Sequence, residues 1–314
     1  MHLRQPDLAG PLLAPGARIA VIAPAGPVQP ARLVRGLDVL RGWGYEPIVG
    51  RHVLAVAGHT AGTTRERLAD LRWAVTDPEL EAIWFARGGF GSMHLLEDLI
   101  RLVRGPTAVP SRPLLGFSDA TAFLAALYRE HHLTDDPSHP LRHGLMGIHA
   151  PVITALGDLS APEVLERIRA LLMDGSGFRA EVDHVAGPRR SVRGPLVGGN
   201  LAMLAALAGT PHALRSHEAI MVLEDVGEPV YRLDRMVTQL QLSGGLMGVQ
   251  AFALGSFSTV PGERDQHAES FMQQRLLEFA VPIVVGLPVG HDPDNEPWVY
   301  GQVGELTQDA DEGD

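Results

Sequence analysis

Residues 113–132 read PLLGFSDATAFLAALYREHH and pass from an apolar run directly into a helical pattern. The run at 113–117 is typical of a buried strand, and Ser118 and Asp119 stand where the helix begins. Ser and Asp are both preferred helix N-caps. Two interpretations of Ser118 therefore remain open, because it either caps the helix or is a nucleophile held at a strand-to-helix turn.

The alternation of strand and helix extends in both directions from this stretch. Strand-like runs lie at residues 18–23, 46–49, 81–86, 219–223, 251–255 and 281–285. Helical patterns lie between them, at residues 33–43, 63–75, 93–103, from Leu201 onward, 230–242 and 266–279. This βαβα order predicts parallel sheets covered by helices.

The regular pattern is interrupted between residues 174 and 194, a stretch rich in Gly, Arg and turn residues. We predict a linker there, between an N-terminal domain at 1–173 and a C-terminal domain at 195–314. A chain of 314 residues is long enough for two domains. The predicted fold class is α/β, with a flavodoxin-like or Rossmann-like parallel sheet in the N-terminal domain and a smaller, β-rich α/β domain after it.

The composition limits the kinds of function. The chain is 45% hydrophobic and 20% charged, carries a net charge of -11, and has Arg but no Lys among its basic residues. This acidic balance argues against a general nucleic-acid binder, which needs a basic face for phosphates. An Arg site for an anionic substrate remains compatible with it.

The sequence lacks cysteines and also lacks the patterns of targeting and membrane-spanning segments. The chain contains no Cys, which excludes disulfides, thiolate metal sites and a Cys nucleophile. It shows neither a signal-peptide pattern at its N-terminus nor an uninterrupted apolar run of about 18 residues. We therefore expect a cytoplasmic protein that does not enter a membrane.

Three apolar strands end in polar residues of complementary chemistry: Ser118, then Glu224 with its neighbour Asp225, then His291. Open α/β sheets usually bind ligands at the carboxyl ends of their strands. Ser, an acid and His are the types needed for a nucleophile, an orienting carboxylate and a general base. The GxSxG elbow is incomplete because Ala120 occupies its second Gly position, so the residues alone leave the triad a hypothesis.

A glycine-rich stretch, residues 84–92 (WFARGGFGS), lies between a predicted strand and a predicted helix. Glycines at such a place let backbone N–H groups face a cleft, where they can bind an oxyanion or a phosphate. A plain tight turn is the alternative. The stretch is neither a P-loop nor a GxGxxG fingerprint, because the following residues and the spacing do not fit.

A second loop, residues 291–296 (HDPDNE), carries oxygens at alternate positions like a metal loop. An EF-hand loop that begins at Asp292 would need Gly at its sixth position and Glu at its twelfth, where this chain has Pro297 and Val303. We therefore predict no metal there.

Taken together, these stretches resemble motifs of the LD-carboxypeptidase family of serine peptidases, also called muramoyltetrapeptide carboxypeptidases. The resemblance runs in order along nearly the whole chain. The matching segments are IAVIAPAGP (19–27), AGTTRERLADL (61–71), ARGGFGS (86–92), GFSD (116–119), GGNL (198–201), GTP (209–211), LEDVGEPVYRLDRM (223–236) and GLPVGH (286–291). The third segment carries Phe90 where the family has Tyr.

The resemblance implies a serine peptidase with Ser118 as nucleophile, His291 as general base and Glu224 as third member of the triad. Asp225 could in principle replace Glu224, but neighbouring side chains on a strand point to opposite faces, so Glu224 is retained.

The resemblance also implies an oxyanion hole, formed by the backbone N–H of Asp119 and one from the turn of Gly88 and Gly89. The side chain of Asp119 would still cap the helix. Arg87 is a candidate for binding the substrate carboxylate. The alternative, to which we give equal weight, is that Arg87 only anchors the loop.

The family further implies a muropeptide substrate. The reaction would release the terminal D-Ala from peptidoglycan tetrapeptides by cutting an L,D-amide bond during cytoplasmic murein recycling. The resemblance implies a homodimer and no metal or organic cofactor.

Two alternatives remain. One is a microcin-immunity peptidase that cleaves peptide–nucleotide conjugates with the same triad, and the other is a non-catalytic protein that binds an anion at the Gly88–Gly89 loop.

Overall fold

The computed structural model of the chain describes residues 1–105, 109–131, 144–158, 162–259 and 265–308. It divides into two compact units. The N-terminal unit is Ala9–Ser176, and the C-terminal unit is Met1–Leu8 together with Gly177–Asp314. The first eight residues belong to the C-terminal unit because their strand, β1 (His2–Arg4), pairs antiparallel with two strands of that unit, at residues 179–181 and 303–307.

The N-terminal unit alternates strands and helices. Its described strands are β2 (Arg18–Ile22), β3 (Glu46–Val49), β4 (Ala82–Phe85), β5 (Arg112–Gly116) and β6 (Leu145–His149). Its described helices are α1 (Pro30–Gly42), α2 (Thr64–Thr76), α3 (Leu96–Val103), α4 (Thr121–His131), α5 (Ile153–Leu156) and α6 (Pro162–Asp174). The predicted strands and helices of this unit are confirmed, with ends that shift by up to three residues.

The sheet of this unit is parallel, in the order β3-β2-β4-β5-β6. This is the flavodoxin-like order, in which the strand sequence reverses between β2 and β4 and ligands bind outside the carboxyl ends of the strands. Strands β4 and β5 are buried along their whole length, as expected for parallel strands covered on both faces. The loop after β4 and the Ser118 turn after β5 therefore lie at the same edge of the sheet.

The C-terminal unit is richer in strands. Its remaining described strands are β7 (Arg179–Glu181), β8 (Asp183–Ala186), β9 (Val192–Asn200), β10 (Ile220–Val226), β11 (Ala251–Ser258), β12 (Ile283–Val285), β13 (Trp298–Val299) and β14 (Val303–Thr307). Its described helices are α7 (Leu201–Leu207), α8 (Val230–Leu242) and α9 (Gln266–Leu276). The stretch 174–194 thus contains two short strands, β7 and β8, and the first three residues of β9.

An eight-stranded sheet organises this unit, in the order β7-β1-β14-β9-β10-β11-β12-β8. The four central strands, β9 to β12, are parallel, and antiparallel strands flank them on both sides. The carboxyl ends of β10 and β12 consequently lie at one edge, and Glu224 and His291 come from these two ends. Within the described part of the chain, no helix is both long and apolar enough to cross a membrane.

Helix α1 offers a matched pair of glycines for testing the packing of the N-terminal unit. A Cβ at Gly36 would lie 1.9 Å from the carbonyl oxygen of Ile153, whereas one at Gly42 would meet no atom within 4 Å. Gly36→Ala should therefore lower the free energy of unfolding by about 1–3 kcal/mol through overpacking. Gly42→Ala should leave it unchanged or raise it by up to ~1 kcal/mol, because Ala is the better helix former.

Urea unfolding followed by tryptophan fluorescence measures both variants, since the buried Trp84 reports on this unit. A Gly36→Ala protein as stable as Gly42→Ala would contradict the packing of α1 against α5.

Candidate functional site

Glu224 lies near the carboxyl end of β10 and has no solvent exposure. The register between β10 and β11 shifts between Leu223 and Asp225, so the strand is irregular at Glu224. A Cβ at Gly255 on β11 would lie 3.3 Å from the Cβ of Glu224 and 2.1 Å from the carbonyl oxygen of Val289. A glycine at position 255 therefore leaves the space that the Glu224 side chain and the loop after β12 occupy.

His291 stands at the end of that loop, which is fastened to β11. The backbone N–H of Ser256 donates to the carbonyl oxygen of Val289 at 3.0 Å. Gly290 has a φ of 142°, and a Cβ there would lie 2.2 Å from the Ser256 hydroxyl oxygen. The N–H of Gly290 donates to Asn295 Oδ1 at 3.1 Å. These contacts fix the backbone immediately before His291, so the position of its ring is defined by the fold.

The structure brings Glu224 and His291 together. Glu224 Oε2 lies 2.8 Å from His291 Nδ1. An ionised carboxylate only accepts hydrogen bonds, so Nδ1 is the donor and Nε2 is the basic nitrogen of the neutral ring. Burial opposes the charged imidazolium, but the charge and hydrogen bond of Glu224, with smaller contributions from Asp225 and Asp292, raise the pKa of His291 above its ordinary value.

Asp225 points elsewhere. Its carboxylate accepts hydrogen bonds from Asn200 Nδ2 at 3.1 Å and from the backbone N–H groups of Ala202 and Val226, each at 2.8 Å. It thus serves the start of α7, where a negative charge is favourable. Burial, followed by the nearby charge of Glu224, raises the pKa of Asp225 to about 7. Of the two neighbouring carboxylates, Glu224 is therefore the one that contacts the imidazole.

Ser118 occupies the turn between β5 and α4 in the N-terminal unit. It is half-buried and has a φ of 60°, a left-handed conformation that is uncommon for a residue with a side chain. Holding a non-glycine residue there costs about 1–3 kcal/mol, and such strain concentrates at functional sites. A strained strand-to-helix turn is also how nucleophile elbows expose a serine hydroxyl, although the glycine pattern of that motif is incomplete here.

The Gly88–Gly89 turn packs directly against Ser118. A Cβ at Gly88 would lie 3.1 Å from Ser118 Cβ and 3.2 Å from its Oγ. Gly89 has a φ of 106°, and the N–H of Gly26 donates to the carbonyl oxygen of Gly88 at 3.0 Å. A side chain at position 88 would therefore crowd the Ser118 hydroxyl, and glycine leaves that space open.

The sequence predicts that the Asp119 side chain caps the helix, but in the structure it binds elsewhere. Its Oδ2 accepts a hydrogen bond of 2.7 Å from the backbone N–H of Ser92, at the end of the glycine-rich loop. Asp119 is buried, which raises its pKa, while hydrogen bonds from the Ser92 side chain and from the Ser92 and Gly91 backbone, together with the charge of Arg67, oppose that shift. Arg67, also buried, was not singled out from the sequence, because one Arg in a helical pattern is typical of a solvent-facing position.

Arg87 lies at the surface of the same loop. Its Nη1 donates to the carbonyl oxygen of Pro27 at 2.5 Å. This contact anchors the side chain to the turn after β2, which accounts for a structural role. A role in binding a substrate carboxylate stays a prediction.

Each unit, taken by itself, holds groups of the kind that hydrolysis uses. The N-terminal unit holds a hydroxyl at a strained turn beside a glycine-rich backbone, and the C-terminal unit holds an imidazole oriented by a buried carboxylate. A nucleophile, a general base and its orienting acid are the parts that acyl transfer requires. Within the described ranges, no group of three or more His, Asp or Glu residues could hold a metal ion.

Comparison with known proteins gives consistent results for both units. Residues 19–135 match the family model of the LD-carboxypeptidase N-terminal domain, and residues 193–306 match that of the C-terminal domain. The chain is 39% identical over 301 residues to the murein tetrapeptide carboxypeptidase of Pseudomonas aeruginosa, covering 92% of each protein.

Two solved structures are also similar. One is the muramoyltetrapeptide carboxypeptidase from Oxalobacter formigenes, with a TM-score of 0.70 and 31% identity over 94% of this chain and 96% of that one. The other is an MccF-like protein from Bacillus anthracis, with a TM-score of 0.78 but only 18% identity over 96% of each chain. The second likeness establishes the fold alone.

The Glu224–His291 contact predicts how His291 titrates. In the intact protein its pKa should lie above the ordinary value of about 6.5. Glu224→Gln removes the charge that raises the pKa while burial remains, so the pKa should fall below that value. Asp225→Asn is the matched control on the same strand and should lower it less, because Asp225 does not contact the ring.

NMR titration of the imidazole Cε1–H resonance, assigned with His291→Gln, measures all three pKa values. A His291 pKa that is the same in the wild type and Glu224→Gln would contradict the contact.

Proposed function

This chain belongs to the LD-carboxypeptidase family, and we propose that it is a serine carboxypeptidase that releases the terminal D-Ala from peptidoglycan tetrapeptides. The observation that carries the proposal is the 39% identity to a murein tetrapeptide carboxypeptidase over 92% of both proteins. The hydrogen bond between Glu224 and His291 supports a general base of the kind this hydrolysis needs.

In the proposed mechanism Ser118 is the nucleophile, His291 the general base and Glu224 the carboxylate that orients it. Ser118 Oγ attacks the carbonyl carbon of the L,D-amide bond while its proton passes to His291 Nε2. The C–N bond then breaks, and the imidazolium returns that proton to the departing amine of D-Ala. Water repeats the attack on the acyl-enzyme with His291 again taking the proton, which frees the shortened peptide and restores Ser118.

Glu224 would stabilise the imidazolium that forms in both steps. The carboxylate stays ionised, keeps Nδ1 protonated and leaves Nε2 to accept the Ser118 proton. Because Ser118 belongs to the N-terminal unit and the other two residues to the C-terminal unit, the mechanism requires both units in one active protein.

We assign the oxyanion hole to the backbone N–H of Asp119 and one from the Gly88–Gly89 turn. The close approach of Gly88 to Ser118 Oγ supports this assignment, since donors must lie near the attacked carbonyl. Arg87, at the surface of the same loop, is the proposed partner of the substrate carboxylate. A guanidinium binds a carboxylate well, and releasing the Pro27 contact would free Nη1 for it.

The proposal includes two properties implied by the family resemblance, a cytoplasmic location and a homodimer. Both suit an enzyme that recycles muropeptides released from the wall. Light scattering coupled to size-exclusion chromatography gives the oligomeric state directly, with a mass near twice the 33.7 kDa of one chain expected.

The triad predicts a specific pattern of lost activity. Ser118→Ala and His291→Ala should each lower kcat for D-Ala release from tetrapeptide by about 10⁴–10⁶-fold, and Glu224→Ala by less. Combining the changes should add little to the worst single one, because the three residues act as a unit. Assays of D-Ala release with matched circular dichroism spectra measure this.

The matched control is His52→Ala in the N-terminal unit, whose Nδ1 lies 2.8 Å from Asp70 Oδ1 in a similar pair. It should keep kcat within about threefold. Full activity in Ser118→Ala would overturn the mechanism. Hydrolysis of a peptide–nucleotide conjugate without D-Ala release would favour the microcin-immunity alternative. Anion binding that does not depend on Ser118, without turnover, would favour the non-catalytic alternative.

The raised pKa of His291 predicts the acid limb of the pH profile. The base acts only when neutral, so kcat/KM should fall as the pH drops through a value above about 6.5. Glu224→Gln should lower the maximal rate yet move this limb to lower pH, because the His291 pKa falls. An acid limb that does not move in Glu224→Gln would contradict the assignment of His291 as base.

A further inference from the structure

Two buried side chains of opposite charge lie behind the glycine-rich loop of the N-terminal unit. Arg67 on α2 and Asp119 on the Ser118 turn are each 2% exposed. Burying an ionised side chain is costly unless polar partners surround it. Both residues bond main-chain groups of segments that meet at the carboxyl edge of the sheet, and Arg67 Nη2 also lies 3.4 Å from Thr64 Oγ1 and 3.3 Å from His94 Nδ1.

Asp119 connects the Ser118 turn to the end of the loop after β4. Its Oδ2 accepts the hydrogen bond of 2.7 Å from the Ser92 N–H. Ser92 is the first residue of a 3₁₀ turn, Ser92–Leu95, that leads into α3. A carboxylate bonded to that N–H fixes where the loop ends relative to the residue adjacent to Ser118.

Arg67 connects the loop to the turn after β2. Its Nη1 donates to the carbonyl oxygens of Pro24 at 2.5 Å and Gly91 at 2.8 Å. A Cβ at Gly91, which has a φ of 125°, would lie 2.8 Å from this nitrogen, so glycine leaves room for the guanidinium. The position of Arg67 is itself fixed by the start of α2, where Thr63 and Glu66 form reciprocal capping hydrogen bonds.

The two side chains thus hold two consecutive residues of the loop, Gly91 through its carbonyl oxygen and Ser92 through its N–H. The same loop carries Gly88, whose backbone lies against Ser118. A shift of about 1 Å in an oxyanion donor costs roughly 100-fold in rate. Fixing this loop against the Ser118 turn is therefore a catalytic requirement if the loop supplies a donor.

We propose that Arg67 and Asp119 are positioning residues that hold the Gly88–Ser92 loop in register with the Ser118 turn. This inference rests on the proposed function, because it assigns the loop a part in D-Ala release. Neither side chain takes part in proton transfer. Their contribution is to the placement of backbone N–H groups, and it should therefore appear in kcat more than in KM.

The test uses Asp119→Ala and Arg67→Lys, with Asp119→Asn as the conservative variant and Glu130→Gln as the matched control. Glu130 is a buried carboxylate of the same unit that accepts hydrogen bonds of 2.6 and 2.7 Å from Arg104, away from the loop. Two quantities are measured on the full-length protein: kcat and KM for D-Ala release, and hydrogen–deuterium exchange of the amides at 87–92.

Asp119→Ala and Arg67→Lys should lower kcat by about 100-fold while KM changes by less than about threefold. Exchange at 87–92 should become at least about tenfold faster, because the Ser92 N–H loses its acceptor or the Gly91 carbonyl its donor. Asp119→Asn retains an acceptor oxygen and should recover kcat to within about tenfold of the wild type. Glu130→Gln should leave both quantities within about threefold.

The inference is overturned if the loop variants exchange no faster than Glu130→Gln, or if their kcat falls no further than in that control. If Asp119→Ala does not fold, Arg67→Lys decides by the same criteria, and Asp119→Asn remains the variant expected to recover. A wild type that releases no D-Ala would contradict the proposed function, whereas unchanged exchange in the variants would contradict the positioning role. The two failures are therefore distinguishable.

Discussion

Both units bury a carboxylate at the carboxyl edge of a parallel sheet, and the cost of burying that charge governs what surrounds it. An ionised group removed from water is tolerated only where donors replace the lost hydration. For Glu224 a donor is the imidazole of His291, and for Asp119 it is the N–H of Ser92. Each carboxylate therefore specifies the position of the group that binds it.

Around both carboxylates, glycines provide the space that these close contacts need. Gly255 and Gly290 let the loop after β12 approach β11 closely enough for His291 to reach Glu224. In the N-terminal unit, Gly91 makes room for the guanidinium of Arg67. Removing one partner of such a pair is expected to cost more than the contact itself contributes, because the remaining charge stays buried.

Much of the fold follows from local patterns in the sequence. Apolar runs and helical spacing locate the main strands and helices, and side-chain alternation on β10 selects Glu224 over Asp225 as the partner of the imidazole. The pairing of β1 with β7 and β14 is not predictable this way, because it joins His2 to Glu181 and to Thr307, 179 and 305 positions away in the chain. The short strands within 174–194 were likewise predicted as linker residues, since turn-rich composition masks edge strands.

The candidate site is likewise predictable from the sequence only in part. Ser118, Glu224 and His291 follow from residue type and strand ends, together with the family resemblance. The left-handed φ of Ser118 and the burial of Arg67 do not, because they depend on tertiary contacts. A helix-capping role for Asp119 is what local preference predicts, but the distant N–H of Ser92 is the group that its carboxylate binds.

In the mechanism proposed for this chain, Ser118 carries the acyl group during turnover. The most direct measurement is acid quenching of the enzyme within its first turnovers on tetrapeptide, followed by peptide mass mapping of the wild type and Ser118→Ala. If Ser118 is the nucleophile, the peptide containing Ser118 gains the mass of the substrate acyl group without D-Ala, and Ser118→Ala shows no adduct and almost no turnover. An adduct on another residue, or undiminished turnover in Ser118→Ala, would contradict it.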